Sequence, residues 1–537
     1  MTPKLRAARA ALAALAVTLT ALSASVVGVA APANAVTYDP ISGSGSTWSS
    51  NALDQWRKNV SSNYGMTINY SGNGSSAGRR DFIAQSVDFA VSEIPFQTAP
   101  EDGSPPEVPS TGYAYMPIVA GGTSFMYNLQ IGGKQVTNLR LSGEALTKIF
   151  TGAITNWSDP LIKADNPGLA MPDKGIVPVV RSDGSGSTAQ FTLWMSKQYP
   201  ALWSSYFASG KMTSQYPVGG SMKAQNGSLG VAGYVAQGYG DGAITYVEYS
   251  YAKNAGFPVA KVLNSSGYYV EPKATSVAVA LLQAQINEDP ASPDYLTQIL
   301  DNVYNNGDAR SYPLSSYSYM IVPTALNATF TEKKGATLGA FARYMLCEGQ
   351  QQADTLGYSP LPMNLVQAGS QQIEKIPNSG GGVVLNDCHN PTFSSGGALS
   401  ANALADSAPQ PAACDKQGPD QCVTGTGGAA DTPTDTTGTG NGGAAADAPA
   451  GSSSGGAAPA AAASGGSGTA AVYDENGAVV SGGSAVAGAA VSSPFTLPDS
   501  GMGPQQWLMI AALVLLLAAV IIPPLASRRL KRSGGDS

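Results

Sequence analysis

Three glycine-serine turns of one kind recur along this chain: Gly43-Ser44-Gly45-Ser46-Thr47, Gly72-Asn73-Gly74-Ser75-Ser76 and Asp183-Gly184-Ser185-Gly186-Ser187, each leading into an amphipathic stretch. A helix start leaves backbone N–H groups unpaired and carries the positive end of the macrodipole. Glycine permits close backbone approach, and each hydroxyl adds a donor. Three such ends converging on one point would hold a tetrahedral oxyanion with little formal positive charge. Taken singly, a Gly-Ser turn reads as a loop; the helices that follow argue otherwise. After the first turn Trp48, Ala52, Leu53, Trp56 and Val60 share one helical face, and after the third Phe191, Trp194 and Met195 do the same. The third turn also follows a strand-like run, Ile176-Val177-Pro178-Val179-Val180, that ends at Arg181. Strand, arginine, Gly-Ser turn and helix in that order make a ligand-binding βα corner.

The two ends read as export and anchoring signals. Lys4, Arg6 and Arg9 precede an Ala/Leu/Val-rich segment closing on Ala33-Asn34-Ala35, which predicts a signal peptide over 1–35. No cysteine lies beside that cleavage site, which argues against an N-terminal lipid anchor. Residues 507–526 are an apolar run of bilayer-spanning length, followed by Arg528, Arg529, Lys531 and Arg532 in a basic tail over 527–537. This predicts a single transmembrane helix with a cytoplasmic C-terminus and the bulk of the chain outside. Just before it, Leu497-Pro498-Asp499-Ser500-Gly501 resembles the Leu-Pro-any-Thr-Gly sorting signal of sortase substrates, with Ser500 in place of threonine. Sortase would then be a partner and cell-wall attachment the alternative to a retained span.

Between the ends, 395–496 is Ala/Gly/Ser/Thr/Pro-rich and short of large apolar residues, which predicts a flexible tether. About 100 residues of such coil have an r.m.s. span on the order of 50–60 Å. The segment 36–394 is long enough for two lobes with separate cores. Net charge is −7 and 12% of residues are charged, so no basic face is expected for nucleic acid. The single histidine, His389, reads as a surface residue, and His-based triads or His/Cys metal clusters have little to be built from; neither cofactor nor metal is expected. Cys347, Cys388, Cys414 and Cys422 allow three pairings in an exported chain. The expected one is Cys347 with Cys388 and Cys414 with Cys422.

Over 36–390, strand-like runs such as Val87-Asp88-Phe89-Ala90-Val91 and Ala243-Ile244-Thr245-Tyr246-Val247 alternate with helix-like ones at 141–150, 276–286 and 338–345. Such alternation predicts α/β lobes whose ligands bind beyond the strand ends. These residues resemble the phosphate-binding proteins of bacterial ABC phosphate importers. The family's loop Gly-Ala-Gly-Ala-Thr-Phe is matched at 43–48, Tyr-any-Gly-any-Gly-Ser-Ser at 70–76, and Val-Asp-Phe-Gly-Ala-Ser-Asp-any-Pro at 87–95. Ile149-Phe150-Thr151-Gly152 with Asn156-Trp157 resembles its second-lobe helix. Arg-any-Asp-Gly-Ser-Gly-Thr is matched at 181–187, Gly-Ala-Ile-Gly-Tyr-Val-Glu-Tyr at 242–249, and the closing Tyr-any-any-Leu-Pro at 358–362.

The resemblance implies a two-lobed, hinged fold of the periplasmic-binding-protein kind (type II), with one lobe at 36–119 plus 311–390 and the other at 120–310. It implies that phosphate is held by Thr47, the Trp48 backbone, Ser75, Glu93, Arg181, Ser185, Gly186 and Ser187, with Asp183 orienting Arg181. Glu93 stands where the family pattern has aspartate, one methylene shorter, and would accept the phosphate proton. The function implied is capture of inorganic phosphate outside the membrane and delivery to an ABC permease, with no catalysis. A wall or adhesion protein reusing the fold, or a phosphate-ester hydrolase, are the alternatives; the hydrolase lacks a base beside any serine.

Overall fold

The computed structural model describes residues 37–100, 103–289, 292, 295, 297–393 and 402–427, with the antiparallel strand pair Val472–Tyr473 and Val479–Ser481. By contacts the chain divides into two units: Met1–Ser453 with Glu475–Ala478, and Ser454–Asp474 with Val479–Ser537. The fold described below lies in the first.

β1 (Ile41–Gly45) runs into the first Gly-Ser turn and α1 (Ser50–Tyr64), and β2 (Ile68–Ser71) leads through the second turn into α2 (Ser75–Ile83). β3 (Phe89–Ser92) and β2 flank β1 in parallel, so both turns emerge at the carboxyl edge of one sheet. α1 buries Ala52, Leu53, Trp56 and Val60, the expected face, and stops at Gly65, whose φ of 68° is left-handed. Trp56 donates its indole N–H to Gly349 O (2.8 Å), so its burial leaves no orphan donor.

β4 (Tyr113–Tyr127) follows, then α3 (Gly143–Phe150), β5 (Val177–Arg181), α4 (Gly186–Gln198), β6 (Lys223–Gln225), α5 (Gly227–Ala236), β7 (Ala243–Glu248), α6 (Tyr249–Ala255), α7 (Ala274–Leu281), β8 (Ser315–Pro323) and α8 (Glu332–Leu346). One eight-stranded sheet runs through both lobes in the order β2-β1-β3-β8-β4-β7-β5-β6. β4 is the element they share. It pairs with β8 from Tyr113 to Gly122 and with β7 from Thr123 to Tyr127. β4 thus changes partner between Gly122 and Thr123, three residues past the expected lobe boundary, on a strand that never breaks. Close packing explains the glycine at 121: a Cβ there would lie 2.8 Å from the Trp48 ring.

The second lobe is cored by aromatic rings. Phe191 of α4 meets Phe125, Phe150 and Tyr246 at centroid distances of 5.2, 5.1 and 5.1 Å. Each such pair contributes about 0.5–1.5 kcal/mol beyond its buried area. Together they fix the β5-α4 corner that carries the third turn. The helix expected over 276–286 ends at Leu281 instead, because Gln285–Ile286 pairs antiparallel with Gln298–Ile299.

Both disulfides pair as expected, Cys347 with Cys388 and Cys414 with Cys422. The expected start of the tether at 395 needs correction. Ala403 N–H donates to Thr392 O (2.9 Å), and the segment 402–427 lies along the second lobe. There Lys261 Nζ donates to both Asp415 oxygens (2.7 and 2.9 Å), Arg140 Nη1 to Cys414 O and Asp420 O, and Asn138 to Cys422 O. Ala405 and Ala408 bury small side chains against Ala278 and Val279, and the rest of this strap is held by an ion pair, a disulfide and backbone carbonyls rather than by large apolar residues, so its composition resembles a linker. The signal peptide (1–35), most of the tether, the sorting-like motif (497–501), the span (507–526) and the tail (527–537) lie outside the described residues. Among the described residues no helix is long and apolar enough to cross a membrane.

Candidate anion-binding site

All three turns meet where the lobes face each other. Gly74 N–H donates to Gly45 O (2.8 Å), joining the first turn to the second, and Ser76 N–H donates to Gly184 O (3.1 Å), joining the second to the third. Gly186 N–H donates to Ser75 Oγ (3.2 Å) across the same divide. Four helix starts, those of α1, α2, α4 and α5, thus surround one buried cluster.

Arg181 ends β5 and is 2% exposed. Its Nε donates to Asp183 Oδ1 (2.7 Å), its Nη2 to Asp183 Oδ2, and its Nη1 to Ser228 Oγ (3.3 Å). Asp183 also accepts from Gly227 N–H (3.0 Å). Burial pushes the Asp183 carboxyl up, but the hydrogen bonds and charge of Arg181 with the Gly227 amide outweigh it, leaving it below the ordinary carboxylate value. Asp183 stays ionised and holds the guanidinium as a fixed fork.

Thr47 Oγ1 lies 2.8 Å from Ser228 Oγ and accepts from Ser228 N–H (3.1 Å). Glu93, 1% exposed, sits in the middle. Its Oε1 accepts from Ser46 Oγ (2.5 Å) and Ser318 Oγ (2.6 Å), and its Oε2 from Ser75 Oγ (2.7 Å). Its carbonyl accepts from Gln190 Nε2 (2.8 Å) and Gln298 Nε2 (3.1 Å). At Gly186 a Cβ would fall 1.8 Å from Glu93 Oε2, so only glycine fits there. Ser187 Oγ is buried with no protein partner.

The structure therefore brings Thr47, Trp48, Ser75, Glu93, Arg181, Asp183, Ser185, Gly186 and Ser187 into one neighbourhood. Two have local duties as well: Trp48 N–H donates to Ser46 Oγ (3.0 Å), and Ser185 Oγ caps α4 by accepting from Thr188 N–H (3.3 Å). Three further hydroxyls join the cluster, those of Ser46, Ser228 and Ser318. Asn226-Gly227-Ser228 is a fourth Gly-Ser turn heading a helix, the same signal as the other three. Ser46 lies inside the first turn. Ser318 stands in a Ser-Ser-Tyr-Ser-Tyr strand, where nothing in the sequence marks it. An Arg181–Asp183 pair and a second buried carboxylate at Glu93, with amides and hydroxyls around them, favour an anion that itself brings a proton.

Residues 30–348 match the profile of the PBP superfamily domain. The chain belongs to this superfamily of two-lobed binding proteins. Among its relatives, the phosphate-binding protein PstS of Xylella fastidiosa is 33% identical over 327 residues, covering 61% of this chain and 83% of that one. PstS of Pasteurella multocida is 31% identical over 332 residues, covering 61% and 88%. PstS 2 of Mycobacterium tuberculosis is 31% identical over 327 residues, covering 59% and 82%.

Proposed function

We propose that this chain is an extracytoplasmic receptor that captures inorganic phosphate between its lobes and hands it to the permease of an ABC importer. The observation that carries the reading is the buried cluster itself: an Asp183-fixed arginine, helix starts from both lobes, the unpartnered Ser187 hydroxyl and a carboxylate acceptor at Glu93. Thr47, Ser75, Ser185, Ser187, Arg181 and the Gly186 amide donate to phosphate oxygens, and Glu93 accepts the phosphate hydroxyl. The Trp48 amide joins them once it leaves Ser46. Relatives that are binding proteins by name support capture without turnover. The leader, the apolar run at 507–526 and the basic tail support attachment at the outer face of the membrane, with wall attachment by sortase as the alternative.

Equilibrium binding of radiolabelled phosphate to the protein tests the reading. A receptor binds one phosphate per chain and releases it unchanged; a hydrolase turns over phosphate esters, and a wall scaffold does neither. Saturable binding without ester turnover is the expected result, and absence of binding would overturn it.

A further inference from the structure

Where β4 changes partner, a cavity of about 10 Å³ is lined by residues of β4, β8, α4 and the 300–304 segment. That is about the room one water molecule needs. Four of the lining residues each carry a buried polar atom with no protein partner: Thr123 Oγ1, Gln190 Oε1, Tyr304 Oη and Ser316 Oγ. These residues are 1, 7, 5 and 2% exposed. A buried polar group left unpaired is costly, and four of them around one small cavity share one remedy. Ser315, which also lines it, spends its hydroxyl on Tyr312 O (2.8 Å).

The donors and acceptors say what fits. Gln190 Nε2 donates to Glu93 O (2.8 Å), so Oε1 is the end left over, and it can only accept. Burial pushes the Tyr304 phenol up, so it keeps its proton. The three hydroxyls can each give or take a hydrogen bond. No carboxylate, ammonium or guanidinium lines the cavity. A cation drawn in by the four oxygens would therefore be buried without a counter-charge and would turn three hydroxyl protons into the core.

We propose that this cavity is a binding site for one water molecule, which donates to Gln190 Oε1 and to one hydroxyl and accepts from the other two. Its four bonds use both protons and both lone pairs. The water ties Ser316 of the first lobe to Thr123, Gln190 and Tyr304 of the second, at the point where β4 passes from one lobe to the other. By donating to Oε1 it also fixes which way the Gln190 amide is turned, which keeps the N–H on the Glu93 carbonyl. The site does not depend on which anion the cleft takes.

The test uses the full-length chain in detergent, as wild type, Thr123→Val, Tyr304→Phe, Ser316→Ala and the double variant Thr123→Val/Tyr304→Phe. If nothing bridged these hydroxyls, deleting one would remove an unpaired group and raise stability; with the water bound, deletion breaks a hydrogen bond and lowers it. Each single variant should therefore lower the urea midpoint, by about 0.3 M. Oxygen-17 relaxation dispersion of the solvent, which counts long-lived internal waters, should find one fewer in the double variant than in the wild type. Midpoints that stay or rise in the single variants overturn the site, and so does an equal water count. A wild-type midpoint that rises in sodium or ammonium chloride, against tetramethylammonium chloride at equal ionic strength, means a cation in the cavity and overturns the water.

Discussion

On the proposed phosphate reading, Glu93 is the group that sets what the cleft rejects. At neutral pH phosphate carries at least one proton and sulfate none, so an acceptor-only carboxylate bonds the first and repels the second. Glu93→Gln replaces that acceptor by an amide that can turn its NH₂ to the ligand. Sulfate should then displace phosphate from Glu93→Gln and not from the wild type; equal absence of competition in both proteins would place selectivity elsewhere. Glu248 carries a different consequence. Burial drives its carboxyl well above the ordinary value, against hydrogen bonds from Ser250, and its Oε1 has no partner. Above the unfolded pKa of about 4.3 the folded state holds a proton that the unfolded chain has lost, so stability falls as pH rises toward the folded pKa. Melting curves should show the wild type losing ground to Glu248→Gln between pH 4.5 and 7. Parallel pH dependences would contradict this. Of these residues, the hydroxyls beside glycines, Arg181 and Glu93 were legible because a short motif carries both backbone geometry and donor. Ser318 and Gln298 were not, since they reach the site by strand pairing and chain return over more than 200 residues.

At the scale of elements, the βα corners followed the periodicity closely, and the 402–427 strap did not. Lys261 and Asp415 are each about 10% exposed and 154 residues apart, and no local pattern links them. Removing one partner leaves the other charge buried, which costs about 3–5 kcal/mol. Asp415→Ala should therefore lower the denaturant midpoint well beyond a surface substitution, and a fragment over 36–395 should melt below one over 36–427. Coincident unfolding curves for the two fragments would show that the strap adds nothing to the folded domain.

For the whole molecule, the α/β character was readable from alternating strand-like and helix-like runs and the two lobes from the segment's length, the placement of the Gly-Ser turns and the family resemblance, whereas the single strand shared by both lobes was not, because partner choice along β4 is set by residues distant in sequence and the Gly121-Gly122 pair at the change reads equally well as a break. Deletion of 507–537 should release the protein into the medium. Mass spectrometry of the surface-bound form then distinguishes the anchors: peptides beyond Gly501 mean a retained span, and a C-terminus at Ser500 means sortase.

The central claim is that phosphate is held at the Arg181 cluster. Arg181→Ala removes a charge-assisted fork worth about 1.5–3 kcal/mol and leaves Asp183 and the ligand as uncompensated negative charges in a buried cleft. Calorimetric titration of wild type and Arg181→Ala with inorganic phosphate is the direct measurement. One phosphate per wild-type chain and at least about a tenfold weaker Kd in the variant is the predicted result; undiminished affinity in Arg181→Ala would contradict it.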